Sequence, residues 1–486
     1  MKRQSGILMP IFALPGKYGI GTFGAESYDF VDFLQSSGQK VWQMLPLNQT
    51  VFGDSPYQTT ADCSWSPYFC DLEELFSLGL LTEKELKSAT EKVKKVDYGK
   101  LYFKRTALLK KAFSRFDLSD EFLSFVNSKK YHDYALFMTA KGVFGSLENF
   151  PNWLKTHDKR LIEGFLEENA EEHLFFNFTQ FIVERQFFRL KKYANERGIK
   201  ILGDLPLYVA LDSADVWKNR QAFLLDEGYN PSKVAGVPPD YFSQDGQLWG
   251  NPIYNYDYMK ANGFKWWKNR LKRALEKYDL LRIDHFRGLD RFWAIPYGES
   301  AKCGEWQKAY GEEILSLVDK KRLIAEDLGV IDDGVINLLN NTGLPGMKVL
   351  LFAFDGNPNN PYLPKNVIEN CVAYVGTHDN DTALGFAKNL DSEQFKNFAK
   401  NINDILPSGT KKVKAKKDVA PALVETLLSA KANLTIISFA DLVGLDNEYR
   451  INTPSTVGNW TTRYKPEHFS EELAKNLYSL TKKYKR

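Results

Sequence analysis

Three short apolar runs in this chain each end in a carboxylate, and that repetition limits the fold more than any single motif does. The first, LLRIDHFRGL at 280–289, interleaves Leu280, Leu281, Ile283 and Phe286 with Arg282, Asp284, His285 and Arg287. The second, LIAEDLG at 323–329, ends in Glu326 and Asp327; the third, CVAYVGTHDNDT at 371–382, runs into His378, Asp379 and Asp381. The acids recur about 40 and about 50 residues apart, enough each time for a strand, a crossover helix and a parallel strand. Parallel α/β barrels keep their chemistry at the C-terminal ends of such strands. A buried Arg–Asp pair serving the core would explain one run as well as a catalytic site would, but core packing does not call for three. With Arg282 and Arg287 close by, Asp284 is expected to stay ionised.

The remaining barrel strands are read at 5–14, 40–47 (KVWQMLPL), 199–207 (IKILGDLPL), 346–352 (GMKVLLF) and 434–438, which with 280–284, 322–326 and 371–376 complete the set. Helical spacing predicts helices over 25–36 and 174–197, the second turning Phe178, Phe181, Ile182 and Phe188 inward before Gly198 stops it. Residues 71–173 are charged, helical in pattern and too long for a barrel loop, so they read as a helical insertion after strand two; the Lys and Glu of 81–95 make a solvated face. Residues 205–275 read as a second, loop-rich insertion after strand three, whose Pro, Gly, Tyr and Trp suit an active-site lid. The expected architecture is α/β: one (β/α)8 TIM barrel domain over 1–486, with these insertions and no separate C-terminal domain.

Composition narrows the function. In 486 residues, 64 basic and 61 acidic side chains nearly cancel, which gives no reason to expect nucleic acid or an anionic membrane as partner. Cys63, Cys70, Cys303 and Cys371 form no CxxC pair and no metal spacing, consistent with a reducing cytoplasm. The apolar ILMPIFAL near the N-terminus is interrupted by Pro10 and followed by no small-residue cleavage site, and no run approaches the ~20 residues of a membrane helix.

RIDHFRG, AEDLG and GTHDNDT, together with GDSPYQ at 53–58 and VAGVPPDYFSQDGQLWGNP at 234–252, resemble the amylomaltases, the disproportionating 4-α-glucanotransferases of glycoside hydrolase family seventy-seven. The resemblance runs from about residue 5 to about residue 460, with the motifs in the family's order. It implies α-1,4-glucans as substrate, a glucan or glucose as acceptor, no cofactor and no metal. The chain departs from the family pattern at Trp65-Ser66, Ala440 and Ser455, and those positions are not carried over as sugar contacts.

Retaining glycosyl transfer needs one carboxylate to attack the anomeric carbon and one carboxylic acid to protonate the leaving oxygen, roughly 5–5.5 Å apart. Asp284 suits the nucleophile, with Arg282 on the same strand face to hold its charge. Glu326 suits the acid/base, since its apolar approach through Leu323, Ile324 and Ala325 favours a proton. The resemblance implies that Asp379 holds two hydroxyls of the distorted sugar and that His378 donates to it. It also brings in Asp54, Tyr57 and Gln58 and a pairing of Asp204 with Tyr208, while the ring-rich composition of the second insertion makes Tyr241, Phe242, Trp249 and Asn251 the candidates for a lid over the site. His285 has no neighbours at metal-ligand spacing, and Asp327 and Asp381 are expected to support the other acids. A hydrolase of the same clan would use the same three acids. A non-catalytic glucan-binding barrel would have no need of them.

Overall fold

The computed structural model describes residues 2–51, 53–239 and 244–486. Twelve strands run along the chain: β1 (Gln4–Leu8), β2 (Val41–Gln43), β3 (Lys200–Leu205), β4 (Lys233–Val237), β5 (Gln247–Pro252), β6 (Leu280–Ile283), β7 (Arg291–Pro296), β8 (Glu305–Lys308), β9 (Leu323–Ala325), β10 (Gly346–Val349), β11 (Cys371–Tyr374) and β12 (Leu434–Ser438). Eight of them form one parallel sheet in the order β10-β11-β12-β1-β2-β3-β6-β9. Its two ends meet where the Ala325 N–H donates to the Pro345 carbonyl at 2.9 Å, closing the (β/α)8 barrel.

The barrel strands are shorter than their apolar runs. β1 stops at Leu8, because Pro10 has no N–H to donate and Ile11–Ala13 turn into a 3-10 helix. β10 likewise gives way at Val349 to the 3-10 turn Leu350–Ala353. The barrel is packed tightly enough to dictate residue size: a Cβ on Gly203 would sit 2.2 Å from the Tyr278 ring.

Between β2 and β3 the chain is helical, and Ala170–Glu196 is its longest helix, starting four residues before the expected 174. Phe178, Phe181 and Ile182 are buried as expected, but Phe187 takes the inward position in the next turns and Phe188 stays half-buried. The strands missed by sequence reading form a second, antiparallel sheet of order β5-β4-β7-β8. It draws β4 and β5 from the stretch between β3 and β6, and β7 and β8 from after β6, so the aromatic lobe is built from two crossovers. Among the described residues, no helix is long and apolar enough to cross a membrane.

Candidate active site

Barrel register assembles the site. β6 pairs with β3 so that Arg282 lies opposite Asp204, and with β9 so that Ile283 lies opposite Ala325. The next residues on those last two strands are Asp284 and Glu326. One further bond holds each in line: the Asp284 N–H donates to the Leu205 carbonyl at 2.9 Å, and the Glu326 N–H to the Ile283 carbonyl at 3.1 Å. His285 then turns into the left-handed region at φ 51°, a conformation that costs a non-glycine residue about 1 kcal/mol or more. The turn aims its N–H at Glu326 Oε2, 2.8 Å away, while the Leu328 N–H donates to Oε1 at 3.0 Å. Glu326 is thus fixed by two backbone donors, one of them adjacent to Asp284.

Arg282 is the hub. Its Nη1 donates to Asp204 Oδ2 at 2.5 Å and its Nη2 to Asp284 Oδ1 at 2.8 Å. Burial works against the guanidinium charge, but the two carboxylates outweigh it and raise the Arg282 pKa. Arg287 does not share this work. It turns away to the Val330 carbonyl, to Asp332 at 2.9 Å and to the face of Trp306.

Asp204 also accepts from the Tyr57 hydroxyl at 2.7 Å, and that oxygen lies 2.9 Å from His378 Nε2. The Tyr57 and His378 rings stack at 5.5 Å and 12°. Asp379 Oδ2 lies 3.3 Å from the same His378 nitrogen, and Asp379 Oδ1 accepts from Asn452 Nδ2 at 2.6 Å. Asp204, Arg282, Asp284, Tyr57, His378 and Asp379 therefore form one connected polar network, which the register joins to Glu326. Burial lowers the His378 pKa, so at neutral pH it is a neutral imidazole with one donor and one acceptor nitrogen.

Burial pushes the two central carboxyls up, Asp284 to about 7 and Glu326 to about 8, and Arg282 opposes the rise in both. The expectation that arginine alone keeps Asp284 ionised is corrected here: desolvation, Asp204 and Asp379 outweigh Arg282, and Arg287 is engaged elsewhere. Asp284 keeps 27% of its side-chain surface open to the cleft, which tempers the effect. Both carboxyls are thus drawn up toward neutral pH, the condition under which one of a close pair can hold a proton while the other is ionised.

Other expected residues take more varied places. The paired positions Asp204 and Tyr208 do not bond to each other; the Tyr208 hydroxyl is buried without a partner among the described residues. Its ring stacks on Tyr254 and lies near Trp249 and His285. Trp249 sets its indole edge-on to His285 at 4.8 Å, on the side of the site where the small sheet meets the barrel. The Asn251 amide exchanges two hydrogen bonds with Gln58, at 2.9 and 3.2 Å, and donates to the Val209 carbonyl. It thereby ties the GDSPYQ loop to β5, with both of its amide N–H donors already engaged. Asp54 sits in that loop at φ 61°, with burial raising its pKa. Tyr241 and Phe242 lie outside the described residues. Asp327 caps β10 by accepting from the Met347 N–H, and Asp381 accepts from Arg450 at 2.5 Å and Asn447 at 3.0 Å.

Sequence reading missed the segment after β12. Asn452 donates to Asp379, and Arg450 Nη2 donates to the Asp379 carbonyl at 2.6 Å. Trp460 lies 5.7 Å from the Tyr57 ring and 5.9 Å from that of His378. Nothing in INTPSTVGNW carries a charge, so no signal of the kind used for the other strands was present. Trp65 and Ala440 are fully buried in the core, whereas Ser455 adopts φ 63° in an exposed loop, a conformation that favours glycine.

A sequence model of the 4-alpha-glucanotransferases matches residues 9–469. The chain is 41% identical to a 4-alpha-glucanotransferase of Clostridium butyricum over 497 aligned residues, spanning 98% of this chain and 100% of the relative. A 4-alpha-glucanotransferase of Thermus thermophilus is 39% identical, over 99% of this chain and 98% of its own. Among solved structures, the amylomaltase of Streptococcus agalactiae in complex with acarbose matches with a TM-score of 0.93 and 38% identity over 100% of both chains. The amylomaltase of Corynebacterium glutamicum shares the fold at a TM-score of 0.80 and 19% identity, over 100% of this chain and 75% of that one.

Proposed function

Because the chain belongs to the 4-alpha-glucanotransferase family and transfers segments of α-1,4-glucans, we propose that Asp284 is its nucleophile, Glu326 its acid/base and Asp379 the third acid that holds the distorted donor sugar. An Asp284 oxygen attacks the anomeric carbon, the glycosidic C–O bond breaks, and the leaving 4-oxygen takes the Glu326 proton. The product is a glycosyl ester on Asp284 and a carboxylate on Glu326. In the second half, Glu326 removes the proton from the 4-hydroxyl of an incoming glucan or glucose, which attacks the same carbon and displaces Asp284.

The observation that carries this reading is the turn at His285. It sets the backbone-anchored Glu326 beside an Asp284 already paired with Arg282, and burial raises the pKa of both carboxyls. The Asp204 side chain has no exposed surface, so it serves the site by holding Arg282 and Tyr57 in place. Tyr57 and Trp460 offer ring faces beside it. Trp249, set edge-on to His285, supplies cover that keeps water from the ester, so transfer competes with hydrolysis. The working place of the enzyme is the cytoplasm, where α-glucans and reduced thiols coexist.

The test is trapping. A Glu326→Gln variant incubated with α-maltosyl fluoride, whose leaving group needs little protonation, should gain one maltosyl unit by intact mass, mapped to the peptide carrying Asp284. Label on another residue, or none while fluoride is released, would refute the assignment.

A further inference from the structure

The small antiparallel sheet has a second face that the catalytic site leaves unused. Strand register aligns Leu248 with Gly236, Gly236 with Trp293, and Trp293 with Trp306, so these four residues form one row across all four strands. Side chains alternate along a strand. Trp249, the neighbour of Leu248, therefore points to the opposite face, and it is there that it meets His285. On the outer face Trp306 remains 37% exposed, Leu248 54% and Tyr297 62%, the last in the turn that follows β7.

The aromatic end of this row is braced. Trp293 Nε1 donates to the Ala301 carbonyl at 2.8 Å, and its indole stands 5.1 Å from that of Trp306 at 65°. Gly304 lets the chain pass close by, since a Cβ there would lie 2.3 Å from Trp293 Nε1. Arg287 lays its guanidinium 4.0 Å from the Trp306 ring centroid while bonded to Val330 and Asp332. Trp306 thus has one face backed by a fixed cation and one edge held by another indole, and it loses little freedom if a ligand covers the rest. An exposed tryptophan built in this way is an unusual use of surface in a soluble chain.

We propose that this outer row, centred on Trp306, is a second glucan-binding platform, which takes the apolar face of an α-1,4-glucan segment remote from the bond being cut. The occupant follows from continuity with the catalytic site. The same small sheet carries Trp249 on its inner side, and the arginine that backs Trp306 is three residues beyond Asp284 in one turn. On this proposal a polymeric substrate that passes the site continues past the Arg287 turn onto the Trp306 ring, while a trisaccharide is held at the catalytic carboxylates alone. Pyranose rings stack on indole through their C–H faces, the contact that a one-sided, braced tryptophan offers. The inference rests on the assignment of α-glucan as substrate.

The test uses the full chain with Trp306→Ala and Trp306→Phe, since Trp306 sits on an edge strand and its loss spares the core. Mobility in native gels containing glycogen, and KM for amylose and for maltotriose, are the readouts. Trp306→Ala should weaken glycogen retardation and raise the amylose KM about fivefold, with maltotriose KM and both kcat values within twofold of the parent. Trp306→Phe should recover most of the affinity. Unchanged glycogen retardation would overturn the platform, as would an equal loss on maltotriose, which would mean that Trp306 acts through Arg287 on the catalytic turn. A change in oligomeric state without change in glycogen affinity would assign the face to self-association instead. Disproportionation of maltotriose by the parent enzyme tests the underlying activity separately.

Discussion

Replacing Arg282 with Gln removes the one positive charge that Asp204 and Asp284 share. At a charge separation of about 4 Å and an effective dielectric of about 20, the attraction to Asp284 is about 4 kcal/mol, equivalent to about three pKa units. Asp284 keeps 27% of its side-chain surface open, so solvent screening should cut that to about 1.5 units. Burial already pushes the Asp284 carboxyl up to about 7 in the parent. An upward shift of that size lowers the ionised fraction at neutral pH, and with it the rate of ester formation, by about tenfold before any cost in positioning. The assay is pre-steady-state release of fluoride from α-maltosyl fluoride across pH, chosen because that leaving group makes little demand on Glu326. The acid limb should move up by one to two units in Arg282→Gln, with partial recovery of rate at pH 9. A limb that stays in place while the rate falls equally at every pH would show that Arg282 positions Asp284 but does not set its charge.

Asp284→Asn keeps an oxygen that can accept from Arg282 Nη2, so the fold should persist while turnover on maltotriose falls at least 10³-fold, a barrier change of about 4 kcal/mol; retention of a tenth of the activity would exclude the nucleophile role. Glu326→Gln must turn an NH2 toward one of two N–H donors, so it should lose about 1–3 kcal/mol of stability by denaturant melts as well as its activity on maltotriose, and an unchanged midpoint would contradict the double anchor. Asp441 is buried with its carboxyl pushed up to about 7 from 3.8, so the parent loses stability as pH rises from about 4 to about 7, by at most about 4 kcal/mol. Asp441→Asn can still accept from the Ala383 N–H, and its melting temperature should exceed the parent's by a margin that widens with pH; a constant margin would refute the linkage. Trp249→Ala should raise free reducing ends relative to redistributed chain lengths from maltotriose, because the cover beside His285 is lost; an unchanged ratio would put water exclusion elsewhere.

The barrel was legible because its strands repeat one physical pattern: an apolar run for a sheet buried on both faces, then an acid where the run meets the open end. The register that sets Asp284 beside Glu326 follows from neighbouring strands in that order. The parts that stayed hidden lack that pattern. β4 and β5 contain Gly236 and Gly250, and β8 reads EWQK, so neither alternation nor β-branched content announced a sheet. Their pairing is also non-local, since β4 takes β7 as partner across the whole of β6. Asn452 and Trp460 were missed for a related reason, because an uncharged loop acquires its role only when the chain returns to the barrel mouth.

Arg282 shows where residue-by-residue inference from sequence stops even when the motif is read correctly. Two residues apart on a strand, Arg282 and Asp284 share a face, and an ion pair follows from that alone. What could not follow is Asp204 on the neighbouring strand, which claims the other half of the guanidinium, or the burial that raises Asp284 against it. A single arginine divided between two carboxylates holds each less firmly than it would hold one. In its proposed role as nucleophile, Asp284 would then be charged enough to attack and a good enough leaving group to be displaced when the acceptor arrives. Asp204→Asn separates these effects. It frees Arg282 for Asp284 alone, so the acid limb should move down, opposite to its movement in Arg282→Gln, and limbs moving in the same direction in both variants would refute the shared-charge account.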